Sequence, residues 1–191
     1  MTGKNVRKLI RFDKYRCALL LSCLCYIAGA QNVKHIAGIN VGYSHYPAIV
    51  DFKGEANLDY IFNPYNFMVK AQLGIAPATN FGTITKAFLS IGYTTKMDKL
   101  ISWHLLTGAG GIIPGKNNSP YNFSGGPLFV ESGFYIKPQK ERNWLLGINA
   151  SFIPFSYKNK SSFRDYGNGI ATCINVSYSL ILNAGKKKLT Q

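Results

Sequence analysis

The feature that most constrains this chain is a two-residue alternation of apolar and polar side chains over unusually long segments. In residues 50–62, VDFKGEANLDYIF, the even positions are apolar or small, whereas the odd positions carry three acids and a lysine. Successive side chains of a β-strand point to opposite faces, so this pattern predicts a strand with one apolar and one polar face. The same period recurs from residue 35 onward without a competing helical period, and it predicts an all-β chain.

Eight segments with this alternation can be delimited, and most reach ten residues or more. They are residues 35–46, 50–62, 65–77, 81–93, 100–113, 128–137, 144–154 and 166–182. Strands of soluble proteins most often have about five or six residues, whereas a tilted strand needs about 9 to 11 residues to cross a bilayer. The lengths therefore favour an eight-stranded antiparallel up-and-down transmembrane β-barrel.

Side-chain size indicates which face of such a barrel points inward. The polar face also carries glycines, namely Gly38, Gly42, Gly74, Gly92, Gly108, Gly110, Gly133, Gly147 and Gly169. An eight-stranded interior is narrow and must be filled by side chains, so small and polar residues belong inside and bulky apolar residues outside. This is the orientation of a membrane barrel. The alternative is a secreted soluble barrel that binds a small apolar ligand, as lipocalins do, with the reverse orientation.

The first 30 residues have the features of a secretory signal peptide. A basic stretch is followed by 14 uncharged residues, Cys17–Ala30, which end in the small residues Ala28, Gly29 and Ala30. This run is short for a transmembrane helix, and its ending is typical of signal cleavage. A retained helical anchor and a lipoprotein signal ending at Cys23 stay open as alternatives.

The chain is thus predicted to consist of a signal peptide (1–30), a barrel (31–183) and a basic tail (184–191), exported to the cell outer membrane. The net charge of +14 fits this division, because six bases and one acid fall in the first 16 residues and three lysines in the tail. With no nucleic-acid motif, no nucleic-acid partner is expected. After signal removal only Cys173 remains, so neither an internal disulfide nor a Cys-based zinc site can form. No metal and no cofactor are expected.

Charged residues of both signs fall on the predicted inward face. They are Asp51, Lys53, Glu55, Asp59, Lys70, Lys86, Glu131 and Lys137. Buried charges need partners, so four acids and four bases favour a paired network that fills the lumen, and a small gated pore is the alternative. If Asn63 and Pro64 form the turn between two strands, Lys70 comes within cross-strand reach of Glu55 and Asp59.

Two connections are long, residues 114–127 and 155–165, and we expect both outside the cell because membrane barrels have short periplasmic turns and longer outer loops. The residues in them most suited to interaction are Tyr121, Phe123, Lys158, Lys160, Phe163 and Arg164. Catalysis is not expected. The one suggestive pair, Ser44 and His45, is adjacent in sequence, so its members point to opposite faces of a strand.

In its signal, its eight amphipathic strands and its loop asymmetry, the chain resembles small eight-stranded outer-membrane barrels of the OmpX/OmpA type, which are found in diderm bacteria. The resemblance covers the whole mature chain. It implies a non-enzymatic structural, surface-interaction or accessory component. The implied partners are outer-membrane lipid, the outer-membrane insertion machinery and a surface or envelope protein. The chain departs from the usual pattern at its end, where AGKKKLTQ follows the last strand in place of a closing aromatic residue.

Overall fold

The computed structural model describes residues 33–46, 50–78, 82–114, 121–125, 128–139, 141–159 and 165–182. The predicted signal peptide and basic tail lie outside these ranges and stay predictions. No helix in the described ranges is long and apolar enough to cross a membrane.

Nine β-strands form the structure. They are β1 (Val33–Tyr46), β2 (Val50–Pro64), β3 (Phe67–Ala78), β4 (Gly82–Thr94), β5 (Ile101–Pro114), β6 (Tyr121–Gly125), β7 (Phe129–Ile136), β8 (Trp144–Asn159) and β9 (Asp165–Ile181). Eight of them, all except β6, pair with their neighbours around a closed ring, and β9 pairs with both β8 and β1. The predicted eight-stranded antiparallel barrel is confirmed.

The seam between the first and last strands closes the barrel. It runs in continuous antiparallel register from the pair Ile36 and Ile181 to the pair His45 and Thr172. None of the eight barrel strands therefore has an unpaired edge, which is the feature that separates a barrel from an open sheet.

The strand β6 was not predicted, and it continues the line of β7 along the outer part of β8. It pairs with the outer end of β8, from Tyr121 opposite Asn159 to Gly125 opposite Phe155. The predicted loop boundaries are therefore wrong, because parts of 114–127 and 155–165 are strand. Residues 121–125 and 155–159 instead pair with each other, and this ladder extends the sheet beyond the predicted strand ends.

The two faces of the barrel are sorted as the alternation predicts. Each barrel strand exposes large apolar side chains outward, for example Ile39, Leu58, Leu73, Leu89, Leu105, Phe134, Ile148 and Val176. Each also buries polar side chains inward, for example Asn40, Asp59, Lys70, Ser90, His104, Glu131, Asn149 and Asn175. This sorting is the reverse of that in a soluble ligand-binding barrel.

Glycines on the inward face make room for polar side chains of the neighbouring strand. Gly42 lies opposite Asn175, and Gly133 lies opposite Asn149. A Cβ atom at either glycine would overlap the Oδ1 atom of that asparagine and a backbone carbonyl oxygen. The narrow lumen thus holds polar side chains that lie over the glycine backbone of the next strand.

We call the end of the barrel that carries the β2–β3, β4–β5 and β7–β8 turns the turn end. An apolar cluster fills the lumen there and consists of Ile36, Ile61, Met68, Met97, Leu106, Tyr135, Leu145 and Ile181. Met97 belongs to the β4–β5 turn, yet its exposed fraction is 1%. Backbone hydrogen bonds hold this turn, from Thr95 N to Trp103 O (2.9 Å) and from Lys99 N to Lys96 O (3.2 Å). The turn therefore caps the lumen with an apolar side chain.

The β2–β3 turn lies two residues later than the sequence predicted. Residues 65 and 66 form it, and Tyr65 has a positive φ of 58°, which the common two-residue hairpin turns require at their first central position. The Nδ2 group of Asn63 donates to the carbonyl oxygens of Tyr65 (3.1 Å) and Phe67 (2.7 Å). With the turn at residues 65 and 66, β2 extends to Pro64. The register between β2 and β3 therefore differs from the one expected for a turn at Asn63 and Pro64.

Candidate functional site

The charged residues predicted for the lumen form the candidate site. Five of them have described side chains that are buried inside the barrel: Glu55, Asp59, Lys70, Lys86 and Glu131. They come from β2, β3, β4 and β7, so the site connects strands from opposite parts of the wall. Each of the five occupies an inward position of its strand, so the five side chains converge in the lumen.

The other three predicted residues are placed differently. The backbones of Asp51 and Lys53 belong to β2, and their side chains lie outside the described part of the structure. Lys137 follows β7 directly at the turn end and is half-buried. None of the ion pairs found among the described side chains includes Lys137.

The centre of the network is the ammonium group of Lys70. Its Nζ atom lies 2.8 Å from Oε1 and 3.0 Å from Oε2 of Glu131. The same atom lies 2.9 Å from Oδ2 of Asp59. One cation on β3 is therefore shared by two carboxylates, one on the adjacent strand β2 and one on the distant strand β7.

A second ion pair lies beside the first. Lys86 on β4 donates to Oε2 of Glu55 on β2. The other carboxylate oxygen of Glu55 accepts a hydrogen bond of 3.0 Å from Nδ2 of Asn57. The strand β3 lies between β2 and β4, so the Lys86 side chain passes across the small inward residue Gly74 of β3. A Cβ atom at Gly74 would lie 3.2 Å from Cε of Lys86.

Neutral groups satisfy the remaining carboxylate oxygens. Asp59 accepts hydrogen bonds from Nδ2 of Asn40 and, at 3.0 Å, from Nε2 of Gln72. Oε2 of Glu131 accepts from the hydroxyl of Ser151 at 3.4 Å. Such bonds lower the cost of holding a charge away from water, because a buried charge needs both a counter-ion and hydrogen-bond partners.

His104 is part of the network, although the sequence analysis did not select it. Its Nε2 atom lies 3.2 Å from Oε1 of Glu131. Its ring stacks on the ring of Tyr135, with the centroids 5.0 Å apart and an angle of 28° between the planes. The signal was present in the sequence, because His104 occupies an inward position of β5, next to the strand that carries Glu131.

Layers of described side chains occupy the lumen one above the other. The apolar cluster fills the turn end, the ion pairs fill the middle, and the rings of Phe88 and Phe129 pack on each other with centroids 4.6 Å apart. The network therefore has a structural role that the geometry supports directly, since it ties non-adjacent strands together inside the barrel.

The pair that the sequence analysis considered for catalysis, Ser44 and His45, is divided between the two faces of β1. Ser44 is buried on the lumen side of β1, and the next residue, His45, points to the other face of the strand. Cys173 is buried inside the barrel, where it faces Ser44 across the seam. Among the described residues, no group of three or more His, Cys, Asp or Glu side chains could hold a metal ion.

Three of the residues predicted for interaction have a described backbone, and these three lie at the outer end, opposite the turn end. Tyr121 and Phe123 belong to β6, and Lys158 belongs to β8, where it pairs with Asn122. The side chains of these residues lie outside the described part of the structure, as do Lys160, Phe163 and Arg164 entirely. Their role in binding stays a prediction.

A depression of about 530 Å³ on the outward face is lined mainly by short and medium apolar side chains. They include Leu58, Ala71, Leu73, Ala87, Leu89 and Ala109. Each alanine pairs directly with one leucine of a neighbouring strand, Ala71 and Ala109 with Leu89 and Ala87 with Leu73. Short and longer apolar side chains therefore alternate across this surface, and the outward ring of Tyr60 also lines the depression.

Comparisons with known proteins give structural similarity without sequence similarity. No protein-family model matches the chain, and no curated protein matches it in sequence. The crystal structure of Neisserial surface protein A (NspA) is similar, with a TM-score of 0.52 and 8% identity over 78% of this chain and 96% of that one. The outer membrane protein Ail of Yersinia pestis matches with a TM-score of 0.40 and 16% identity over 76% of this chain and 99% of that one. The similarity to NspA supports the barrel fold.

Proposed function

We propose that this chain is an outer-membrane β-barrel without enzymatic activity, which acts as a structural, surface-interaction or accessory component of the envelope. The observation that carries the proposal is the continuous belt of large apolar side chains around a closed barrel with a polar, filled interior. Soluble monomeric proteins rarely expose apolar patches of this extent, whereas such patches are the normal outer surface of a membrane barrel.

Aromatic side chains near the turn end add support. On the outward face Tyr93 packs near Trp103, with centroids 6.4 Å apart, and Trp144 stacks on Tyr178 at 6.0 Å. The imidazole of His35 packs against the edge of Phe62 at 5.4 Å. Amphipathic aromatic residues concentrate where hydrocarbon meets the head groups, so this level of the barrel marks one membrane interface.

The proposed topology has the turn end in the periplasm and the outer end outside the cell. In this arrangement the segments that were predicted as loops, 114–127 and 155–165, carry any contact with a surface or envelope partner. Outer-membrane lipid and the insertion machinery are the remaining proposed partners. The filled lumen argues against the pore alternative, and the outward apolar belt argues against the soluble alternative.

The test is to express the full chain, fractionate the cells and run the membrane fraction on gels with and without heating. A membrane barrel is expected in the detergent-extracted outer-membrane fraction, with a mobility that heating changes. Recovery of a monomer from the soluble fraction without detergent would contradict the proposal. In planar bilayers the folded protein is expected to show no stable conductance steps, and regular steps would favour the pore.

A further inference from the structure

We propose that the turn end binds the phosphate-bearing head groups of anionic lipids in the membrane leaflet that it faces. This inference rests on the proposed membrane setting of the barrel. The residues that carry it form what we call the basic collar, which consists of Lys34, Lys96, Lys99, Lys137 and Arg142.

The basic collar is distributed around the rim of the barrel. Lys34 lies at the start of β1, Lys96 and Lys99 lie in the β4–β5 turn, and Lys137 and Arg142 lie in the β7–β8 connection. Cations from three separate parts of the wall therefore face the same side. A lipid annulus contacts the rim from all sides, so this distribution suits many head groups better than one compact ligand.

Acidic residues at the turn end do not neutralise the basic collar. The described acids there are Asp98 and Glu141, and both are exposed. Asp98 forms an ion pair with Lys34, so the four other cations face one remaining carboxylate. The excess of positive charge produces an electric field that attracts phosphate groups. Such fields act over roughly 8 to 10 Å at physiological ionic strength.

Local hydrogen bonds fix the turns that carry two members of the basic collar. Nε of Arg142 donates to Oε1 of Gln139 at 2.9 Å, and the backbone N of Arg142 donates to Gln139 O at 3.1 Å. The backbone N of Lys99 donates to Lys96 O at 3.2 Å. The turns thus present exposed cationic groups from a fixed backbone, and the guanidinium geometry suits a phosphate oxygen.

The aromatic residues of the proposed interface set the depth of the cations. Lys34 immediately precedes His35, and Arg142 lies two residues before Trp144. Since aromatic rings at this level lie among the head groups, the neighbouring ammonium and guanidinium groups reach the phosphate layer. A partner in the aqueous space beyond the membrane would instead require cations that project further along the axis.

The experiment uses the purified, folded full-length barrel in detergent. It is offered equal amounts of phosphatidylglycerol and phosphatidylcholine with the same acyl chains, and bound lipids are counted by native mass spectrometry. We expect preferential binding of phosphatidylglycerol that decreases with added salt. In the triple variant Lys96→Gln, Lys99→Gln and Arg142→Gln, the preference is expected to fall at least about tenfold, because each basic residue near an anionic surface contributes about fivefold in binding.

Two control variants separate charge and location from folding. The variant Lys96→Arg, Lys99→Arg and Arg142→Lys keeps the charge and is expected to keep the preference. The variant Lys158→Gln, Lys160→Gln and Arg164→Gln removes the same residue types from the segment 155–165, which the sequence predicts to lie outside the cell, and is expected to keep most of the preference. Unchanged heat-dependent gel mobility confirms that each variant is folded.

The proposal is overturned if the wild-type barrel does not distinguish the two lipids, or if both glutamine variants lose the same amount of binding. It is also overturned if soluble peptidoglycan fragments displace phosphatidylglycerol at equal concentration. A barrel that changes mobility on heating and enters the outer membrane, yet shows no lipid preference, would contradict this inference and leave the proposed function intact.

Discussion

Lys70 on β3 and Glu131 on β7 are joined by an ion pair of 2.8 Å across the lumen, although their strands are not neighbours in the barrel wall. Backbone hydrogen bonds connect each strand only to the two beside it. The Lys70–Glu131 pair therefore braces the barrel in a direction that the backbone ladder cannot. Its partners are each less than 3% exposed, so removing one charge leaves the other buried without compensation.

Replacing Lys70→Met is expected to lower the free energy of unfolding by about 3 to 5 kcal/mol, because Asp59 and Glu131 then lose their shared cation. Equilibrium denaturant unfolding in lipid vesicles measures the change. Adding Glu131→Gln to the Lys70→Met variant should restore part of the loss. The matched control is Lys99→Met at an exposed turn position, with an expected change within about 0.5 kcal/mol. Equal losses in both single variants would contradict a bracing role for the pair.

Two adjacent glycines on β5 should respond in opposite ways to a methyl group. A Cβ atom at Gly110 would overlap the carbonyl oxygen of Ala87 and the ring of Phe88, whereas a Cβ atom at Gly111 meets nothing within 4 Å. Gly110→Ala is therefore expected to cost about 1 to 3 kcal/mol or more. Gly111→Ala should be neutral or stabilise by up to about 1 kcal/mol. Unfolding curves of the two variants side by side provide the comparison.

Met97 should contribute strongly to stability despite its place in a turn. Its side chain is buried in the apolar cluster at the turn end, so Met97→Ala is expected to cost about 2 to 5 kcal/mol. Leu100→Ala, in the same turn, removes a side chain that is 62% exposed and should change stability by about 0.5 kcal/mol or less. If the two substitutions have similar effects, the turn does not cap the lumen.

Cys173 offers a direct probe of barrel closure. Its side chain is 1% exposed inside the lumen, so a maleimide reagent added to the folded protein should react very slowly. Reaction should become complete once the barrel is unfolded in denaturant. To keep the readout specific, the assay uses a chain that begins at residue 31, which contains no other cysteine. Rapid labelling of the folded protein would show that the lumen is open to small molecules.

The sequence predicts the inward set of residues well and their partners poorly, for one physical reason. A shift of strand register by an even number of residues leaves every side chain on the same face, so the two-residue period cannot reveal it. The turn at residues 65 and 66 places Lys70 opposite Ile61, where the expected turn would have placed it opposite Asn57. Lys70 consequently reaches Asp59 as expected, whereas Glu55 pairs with Lys86.

Contacts across the lumen could not be predicted from the sequence for a related reason. The pairing of Lys70 with Glu131, and of Glu131 with His104, depends on the tilt and closure of the barrel, which no local pattern encodes. The strand β6 was missed because its pairing with β8 is a tertiary contact. For Lys70 and Glu131 the residue type and its face were predictable, and the geometry that joins them was not.

The seam between β1 and β9 has a consequence for how this protein is made. Its two strands are the first and the last of the barrel, so no partly synthesised chain can complete the ring. Before β9 is added, a folding intermediate has an unpaired strand edge and an exposed apolar outer face. Both features favour aggregation in water. A chain that stops before β9 therefore lacks the partner that closes the barrel, and we expect it to aggregate in water instead of forming a stable fold.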